Sequence, residues 1–449
     1  MPGWLRRRIE DIRNIGTIPP SVIVFKEGDY AVAVDGETKQ VIPGARSKDH
    51  AEVIQKAIYS LMIEYDTTYR LGGLLFIKKG QYAIDRPIVI PEKYNGKNVG
   101  IDGFRLLGEG CTSGFINAES FTKLYTTGAF PDGDYGVIQV EADGYGLEIG
   151  NLTVACGGKN IHGIIVKKPF TWGYLHDLVV TGPYNSYFAG KAGILLDVGG
   201  GNGFMVERAF IQFFDVGLAV GGADWLVVDA VRTYKCNYGL SLGVPDSFTY
   251  SRRSTGVSDS RFGFIQVVDP LTNAVLVKNA YGYQNKIDYI KVEMGQDIQE
   301  VIRHDSGEID LEIDTVGISR HGHSYTALVG GDGAKNVIIR RVVDQTDGYS
   351  TRSVTGFGHE HYVTTLSGDG STQVFKLGTI KYPVTDPSIA TFKSQPLTDD
   401  AKIPYVIYLQ DDDSDGIYES VYVKFSSAPP SGTDNVKTVS YTHLTLPTN

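Results

Sequence analysis

The densest group of chemically active side chains in this 449-residue sequence is DDDSDGIYE, residues 411–419. Asp411, Asp413 and Asp415 alternate ahead of Gly416, and Glu419 follows at the ninth position. A hard cation such as Ca2+ takes roughly six to eight oxygen ligands, and D-x-D-x-D-G wraps three carboxylates round it with glycine easing the turn. An EF-hand would need an acid at the twelfth position, where this chain has Tyr422. The flanks VIYLQ and SVYVKF alternate as strands do, which excludes a helix–loop–helix. The expectation is a structural Ca2+ site formed by Asp411, Asp413, Asp415 and Glu419, because clustered carboxylates repel without a cation. The plain alternative is an acidic turn between strands.

A second set of groups suits acid–base work. Asp229 and Asp259 are spaced carboxylates, and Arg261 lies two residues beyond the second. A guanidinium there would hold an anionic ligand or depress a carboxyl pKa. HDSGEIDLEID (304–314) puts Asp310 and Glu312 on one face of an alternating strand, as the wall of an acidic groove or as a solvated outer face. Arg252, in the insertion 243–257 with Tyr250 and Arg253, is a further candidate for contact with an acidic sugar. For Asp229 and Arg261 the bland reading is a pair of corner residues that bond the turn or each other.

The elements that must carry these groups are short and repeated. An apolar-x-apolar-x-polar-apolar-x-apolar unit appears as LEIGNLTV (147), YLHDLVV (174), MVERAFI (205), WLVVDAV (225), VSDSRFGF (257), IDYIKVEM (287) and VIIRRVV (337). Between copies sits a second unit, GIIV (163), GILL (193), GLAV (217) and GLSL (239), whose starts step by 30, 24 and 22 residues. Such a unit cannot bury its own apolar face, and stacking rungs makes a continuous core. A β-sandwich would instead need antiparallel hairpins every ~8–12 residues. The expected fold is all-β: a right-handed single-stranded parallel β-helix over 49–355, with a helix at DHAEVIQKAIYSLMI (49–63) capping it. Residues 1–48 read as an N-terminal helix and a hairpin turning at Asp35-Gly36, and 362–437 as a small β-sandwich. Rungs stack ~4.8 Å apart with ~3.3 Å per residue. With Asp229 at a rung centre and Asp259 two residues before the next, their Cα separation is about 8 Å, inside the ~6.5–9.5 Å carboxyl spacing of inverting glycosidases.

Composition narrows the partners. The formal charge is −10, and the only basic run, Arg6 to Arg8, is offset by Glu10 and Asp11, so a nucleic-acid partner is not expected. No stretch reaches the ~18 apolar residues of a membrane helix, and the start MPGWLRRRIEDIRNIG has no secretory h-region. Glycine, 54 of 449, is about 12% against ~7% in ordinary chains, as corners between short strands require. The three cysteines, Cys111, Cys156 and Cys236, make no disulfide framework.

DHAEVIQKAI…GGLLFIKKGQYAIDRPIVIP…RLLGEG (49–110) resembles the opening of pectin-lyase-like β-helix proteins, with Gly72, Gly73, Gly80, Tyr82, Gly108, Glu109 and Gly110 in the matching positions. That superfamily includes pectate lyases, polygalacturonase-type hydrolases and viral tail-spike depolymerases. GDGSTQVFKLG and VYVKFSSAPPSGTDNV resemble the β-sandwich appended to phage tail fibres, and 411–419 resembles calcium loops found between β-strands. The resemblance implies a polysaccharide-degrading enzyme, hydrolase or lyase, acting on a surface or acidic glycan. It also implies a homotrimer in a virion tail or an extracellular setting. The alternative is a non-catalytic glycan-binding tail protein or adhesin. Of the polygalacturonase-type pattern only His321-Gly322-His323 and Gly358-His359 match any part, without the N-x-D and D-D elements. Residues 438–448 resemble a translated sequencing-library adapter, so the segment 438–449 is expected to lie outside the fold.

Overall fold

The computed structural model describes residues 20–112, 120–168, 170–183, 190–248, 256–331, 337–346, 350–355, 361–368, 374–384, 390–394, 405–410, 418–425 and 432–444. The chain packs into two compact units, Met1–Asp310 with Ser319–Ala334, and Leu311–Ile318 with Lys335–Asn449.

The first unit is a parallel β-helix. One sheet stacks, in parallel register, the strands Thr68–Ile77, Lys97–Gly108, Glu148–Ala155, Tyr174–Thr181, Met205–Gln212, Val227–Tyr234 and Arg261–Val268, then the second half of Asn273–Glu293. A second sheet stacks Ile88–Ile90, Gly136–Val140, His162–Val166, Ala192–Asn202, Val216–Asp224 and Tyr238–Gly243, then the first half of Asn273–Glu293. The two repeated sequence units are these two sheets.

The glycine that opens the second unit has a packing reason. Gly163, Gly193, Gly217 and Gly239 fall in one column, and a Cβ on them would lie 2.2, 2.1, 2.4 and 2.4 Å from side-chain carbons of Val180, Ile211, Thr233 and Val267. Those four residues are themselves in register across the first sheet. Each coil thus closes by seating a branched side chain of one sheet on a bare backbone of the other. Inside the coil Leu175, Val180, Val206, Ile211, Val228 and Val231 are buried, and stacking identical rungs makes the core continuous.

At its start, Val22–Glu27 pairs antiparallel with Tyr30–Asp35, and that strand with Val41–Ser47. The expected turn after Asp35 is present: its Oδ1 accepts from the backbone of Glu37 and Thr38 at 3.0 and 2.7 Å. The helix His50–Ser60 is N-capped by Asp49, which accepts from the Glu52 N–H, and buries Val53, Ile54, Ala57 and Ile58.

In the second unit, two three-stranded antiparallel sheets run His361–Gly368, Gly432–Leu444, Ala390–Ser394 and Val374–Val384, Tyr418–Phe425, Tyr405–Gln410. The expectation that residues after Lys437 stay outside the fold is corrected here: Thr438 pairs with Thr364, and Leu444 with Ala390. TVSYTHL is rich in β-branched and aromatic residues and suits the central strand of this sheet, paired on both sides.

Candidate functional site

Two left-handed columns bend the first sheet. Trp172, Gly203, Trp225, Asp259 and Gln284 have φ of 65°, 85°, 54°, 51° and 57°. Each lies two positions before the aligned residues Tyr174, Met205, Val227, Arg261 and Lys286. Asn151, Asp177 and Arg208, with φ of 56°, 48° and 52°, form the second column at mid-strand. Left-handed backbone costs a non-glycine residue roughly 1 kcal/mol, so the coil's repeat imposes it.

Beside the second column lies an ionic network on the outer face, buried at Glu148, His176 and Glu207 and open to solvent at Arg208. Arg105 pairs with Glu148 across one rung step; its Nε donates to Oε2, and its Nη2 to Oε1 at 3.2 Å. His176, one rung on, faces Glu148 Oε1 with Nε2 at 2.9 Å and Asp177 Oδ2 with Nδ1 at 2.9 Å. Both ring nitrogens thus face carboxylate oxygens. Its ring stacks on Tyr174 at 4.5 Å and rests over Gly150, where a Cβ would sit 2.4 Å from Nε2. Arg208 grips Asp177 with two bonds of 2.6 and 2.8 Å and also pairs with buried Glu207, which accepts from the Tyr174 hydroxyl. Burial pushes the Glu148 carboxyl up, but hydrogen bonds from His176 and Arg105 outweigh it and hold the group below the usual range. Asp177 is held low likewise, by Arg208 and His176 against burial. Neither has the raised pKa a general acid needs at neutral pH.

Above this network opens a groove of about 490 Å³, lined among others by Asp177, Arg208, Phe210, Arg232 and Phe264. Phe264 is 38% exposed and stacks on Tyr289 at 5.5 Å. Arg232 is exposed, with its guanidinium 5.5 Å from the Phe210 ring.

The expected catalytic set does not converge. The register puts Asp229 opposite Gly263 and Arg261 opposite Val227, so Asp259 lies four positions away from Asp229, not two. That is ~13 Å of strand on top of the rung step, beyond the ~6.5–9.5 Å of an inverting pair. The physical reason is the corner: Asp259 is a left-handed turn residue whose N–H donates to Tyr283 O, while Asp229 is mid-strand. Arg261 is committed to Asp288, at 2.7 and 2.9 Å. Asp229 is exposed and makes no hydrogen bond or ion pair among the described residues. Ile309, Leu311 and Ile313 are buried, so the expected alternation puts Asp310 and Glu312 on the opposite face; Glu312 pairs with Arg340 at 2.6 Å. Neither lines the groove.

Arg252, Asp411, Asp413 and Asp415 lie outside the described residues, as does the side chain of Glu419. The strands flanking 411–417 pair antiparallel, Gln410 with Ser420. The described start of the 243–257 insertion packs Val244 and Phe248 on Ile165, Leu195 and Ala219 of the second sheet, while the groove is lined by the first. Sequence reasoning missed the Arg105–Glu148–His176–Asp177–Arg208 network. The signal was the stacking of opposite charges at equivalent positions of YLHDLVV and MVERAFI.

Fold and groove define a parallel β-helix protein with an outer-face cleft. No protein-family model matches the chain, and no curated protein matches it at a significant level. Solved structures that it resembles include ORF18 of Geobacillus virus E2, at 14% identity over 89% of this chain and 76% of that one, with a TM-score of 0.37. Another is the phiAB6 tailspike, solved in complex with three-repeated oligosaccharides of Acinetobacter baumannii surface polysaccharide. It is 12% identical over 89% of this chain and 84% of that one, with a TM-score of 0.35.

Proposed function

We propose that this protein binds a polysaccharide through the outer groove of its first sheet, as a tail-spike-type component of a virion tail. The observation that supports this is the make-up of the groove. Sugar sites pair an aromatic face with a few fixed polar groups in a concave surface. Phe264 offers the face, with Tyr289 stacked behind it, and Arg208 and Asp177 are locked beside it by the ionic network. Rigid polar groups lose little freedom on binding. The groove's openness suits a polymer crossing several rungs. As a tail-spike-type protein it would assemble as a homotrimer.

Cleavage of the bound glycan is the second reading, and Asp229 carries it. Its carboxylate makes no hydrogen bond or contact ion pair among the described residues, interacts with the Arg208 charge, and lies one residue from groove-lining Ala230; a general base needs such an accessible group. The test is incubation with a panel of acidic and neutral polysaccharides, following new reducing ends and unsaturated-uronate absorbance together. Retention of a polymer with release of ends that falls at least ~100-fold in Asp229→Asn supports both readings. Retention without release leaves a binding protein. Absence of retention across the panel removes the groove from consideration as a glycan site.

A further inference from the structure

We infer that Arg232 forms an anion subsite in the groove, so that the bound polymer is one whose units carry carboxylates. The inference rests on the glycan-binding reading and names the substrate class for it.

Charges on the four strands that floor the groove are paired, with one exception on the basic side. His176 and Asp177, Glu207 and Arg208, and Arg261 all have ionic partners at bonding distance. Arg232 does not: among the described residues it makes no ion pair and no hydrogen bond, and its one direct contact is the Phe210 ring. Its nearest acidic influence is Glu293, whose carboxylate is held by Lys291 and Gln266. Arg232 is exposed, so its guanidinium is hydrated and its donors are available to a ligand at little cost.

Its position suits a ligand. The strand register sets Phe210 below Arg232 and Gln266 above it, so no acidic neighbour stands in its column. The guanidinium carbon stands 5.5 Å from the Phe210 ring centroid, and its N–H donors are free to meet a planar, two-oxygen acceptor. A carboxylate meets such donors with two parallel bonds. Phe264, exposed in the same groove, supplies an apolar face for the sugar ring that bears it. The role first expected of Arg261 thus falls to Arg232, because Asp288 already neutralises Arg261.

The experiment measures retardation of the full chain in affinity gels containing polygalacturonate, alginate or hyaluronan, each beside its carboxyl-reduced form, with dextran sulfate as a further arm. Wild type is expected to bind at least one acidic polymer roughly 10- to 100-fold more tightly than the reduced form. Arg232→Gln is expected to abolish that difference by lowering affinity for the acidic polymer far more than for the reduced one; Arg232→Lys restores part of it. The side chain is exposed, so an unchanged melting temperature certifies the fold of both variants. Equal binding of acidic and reduced polymers by wild type, or a preference that survives Arg232→Gln, overturns the subsite. Retention by dextran sulfate alone replaces carboxylate by sulfate and overturns the stated class. Failure to bind any polymer overturns the glycan reading itself, which is distinct from loss of the acidic preference.

Discussion

Removing Arg105 tests whether the network beneath the groove is a necessary support. Arg105 and Glu148 side chains are only 12% and 7% exposed, so Arg105→Leu leaves a carboxylate buried with His176 as its remaining ionic partner. Deleting one member of a buried pair costs ~3–5 kcal/mol, and the surviving bond to His176 argues for about 3. At ~2.1 cal/mol/K per residue, the coil unit of residues 1–310 and 319–334 unfolds with an entropy near 0.7 kcal/mol/K, so the expected fall in Tm is about 4 °C. The double variant Arg105→Leu/Glu148→Leu should recover much of it, because no uncompensated charge remains. The pH dependence has a fixed sign. Glu148 has a depressed folded pKa, so its contribution is complete above the unfolded carboxyl value of ~4.3 and is lost as pH falls through the folded value. The wild-type advantage over Arg105→Leu is therefore full at pH 7 and narrows below about pH 4. Thermal melts followed by circular dichroism at both pH values read this directly. A single variant that melts within about 1 °C of wild type at neutral pH, or a gap that widens on acidification, would refute the reasoning.

Gly217→Ala should destabilise the coil by ~1–3 kcal/mol, a drop of about 2–4 °C, because its Cβ would stand 2.4 Å from Thr233 Cγ2 and 2.7 Å from Gly239 O. Gly158→Ala, with no heavy atom within 4 Å of the new carbon, should melt as wild type does; equal losses for the two would sink the packing account. If Asp411, Asp413, Asp415 and Glu419 hold calcium, millimolar Ca2+ raises the Tm of the second unit and a chelator reverses it. Asp413→Ala should abolish that response, and a melting curve indifferent to calcium in wild type counts against the site.

The fold was legible because its signal is repeated. The glycine-led unit at 163, 193, 217 and 239 and the apolar unit at 174, 205 and 225 recur at coil spacing, and each recurs because each coil solves the same packing problem. The site was not legible to the same degree, because it depends on register to within one residue. VSDSRFGF aligned by pattern puts Arg261 at the rung centre, whereas the ladder puts Arg261 with Val227 and Gly263 with Asp229. Nothing in the pattern separates a left-handed corner residue from a mid-strand one when the residue is Asp, Trp or Gln, as Asp259, Trp225 and Gln284 are. A shift of two residues moved a carboxylate from strand to corner and dissolved the expected pair.

That same register explains where function concentrates. In a parallel coil every outward side chain has neighbours ~4.8 Å above and below, so a column of one charge repels along its length. At several places this chain answers with ion pairs between rungs: Arg105 with Glu148, Asp177 with Arg208, Arg261 with Asp288, Lys278 with Asp305. The strand Val227–Tyr234 departs from this pattern at two places. Asp229 stands between buried Glu207 and Gly263, and Arg232 between Phe210 and Gln266; neither has an ionic partner among the described residues. Both are exposed on the sheet that forms the groove. Ion pairs hold the neighbouring rungs, so the carboxylate of Asp229 and the guanidinium of Arg232 are the groups on this strand that the two proposals for the groove call upon.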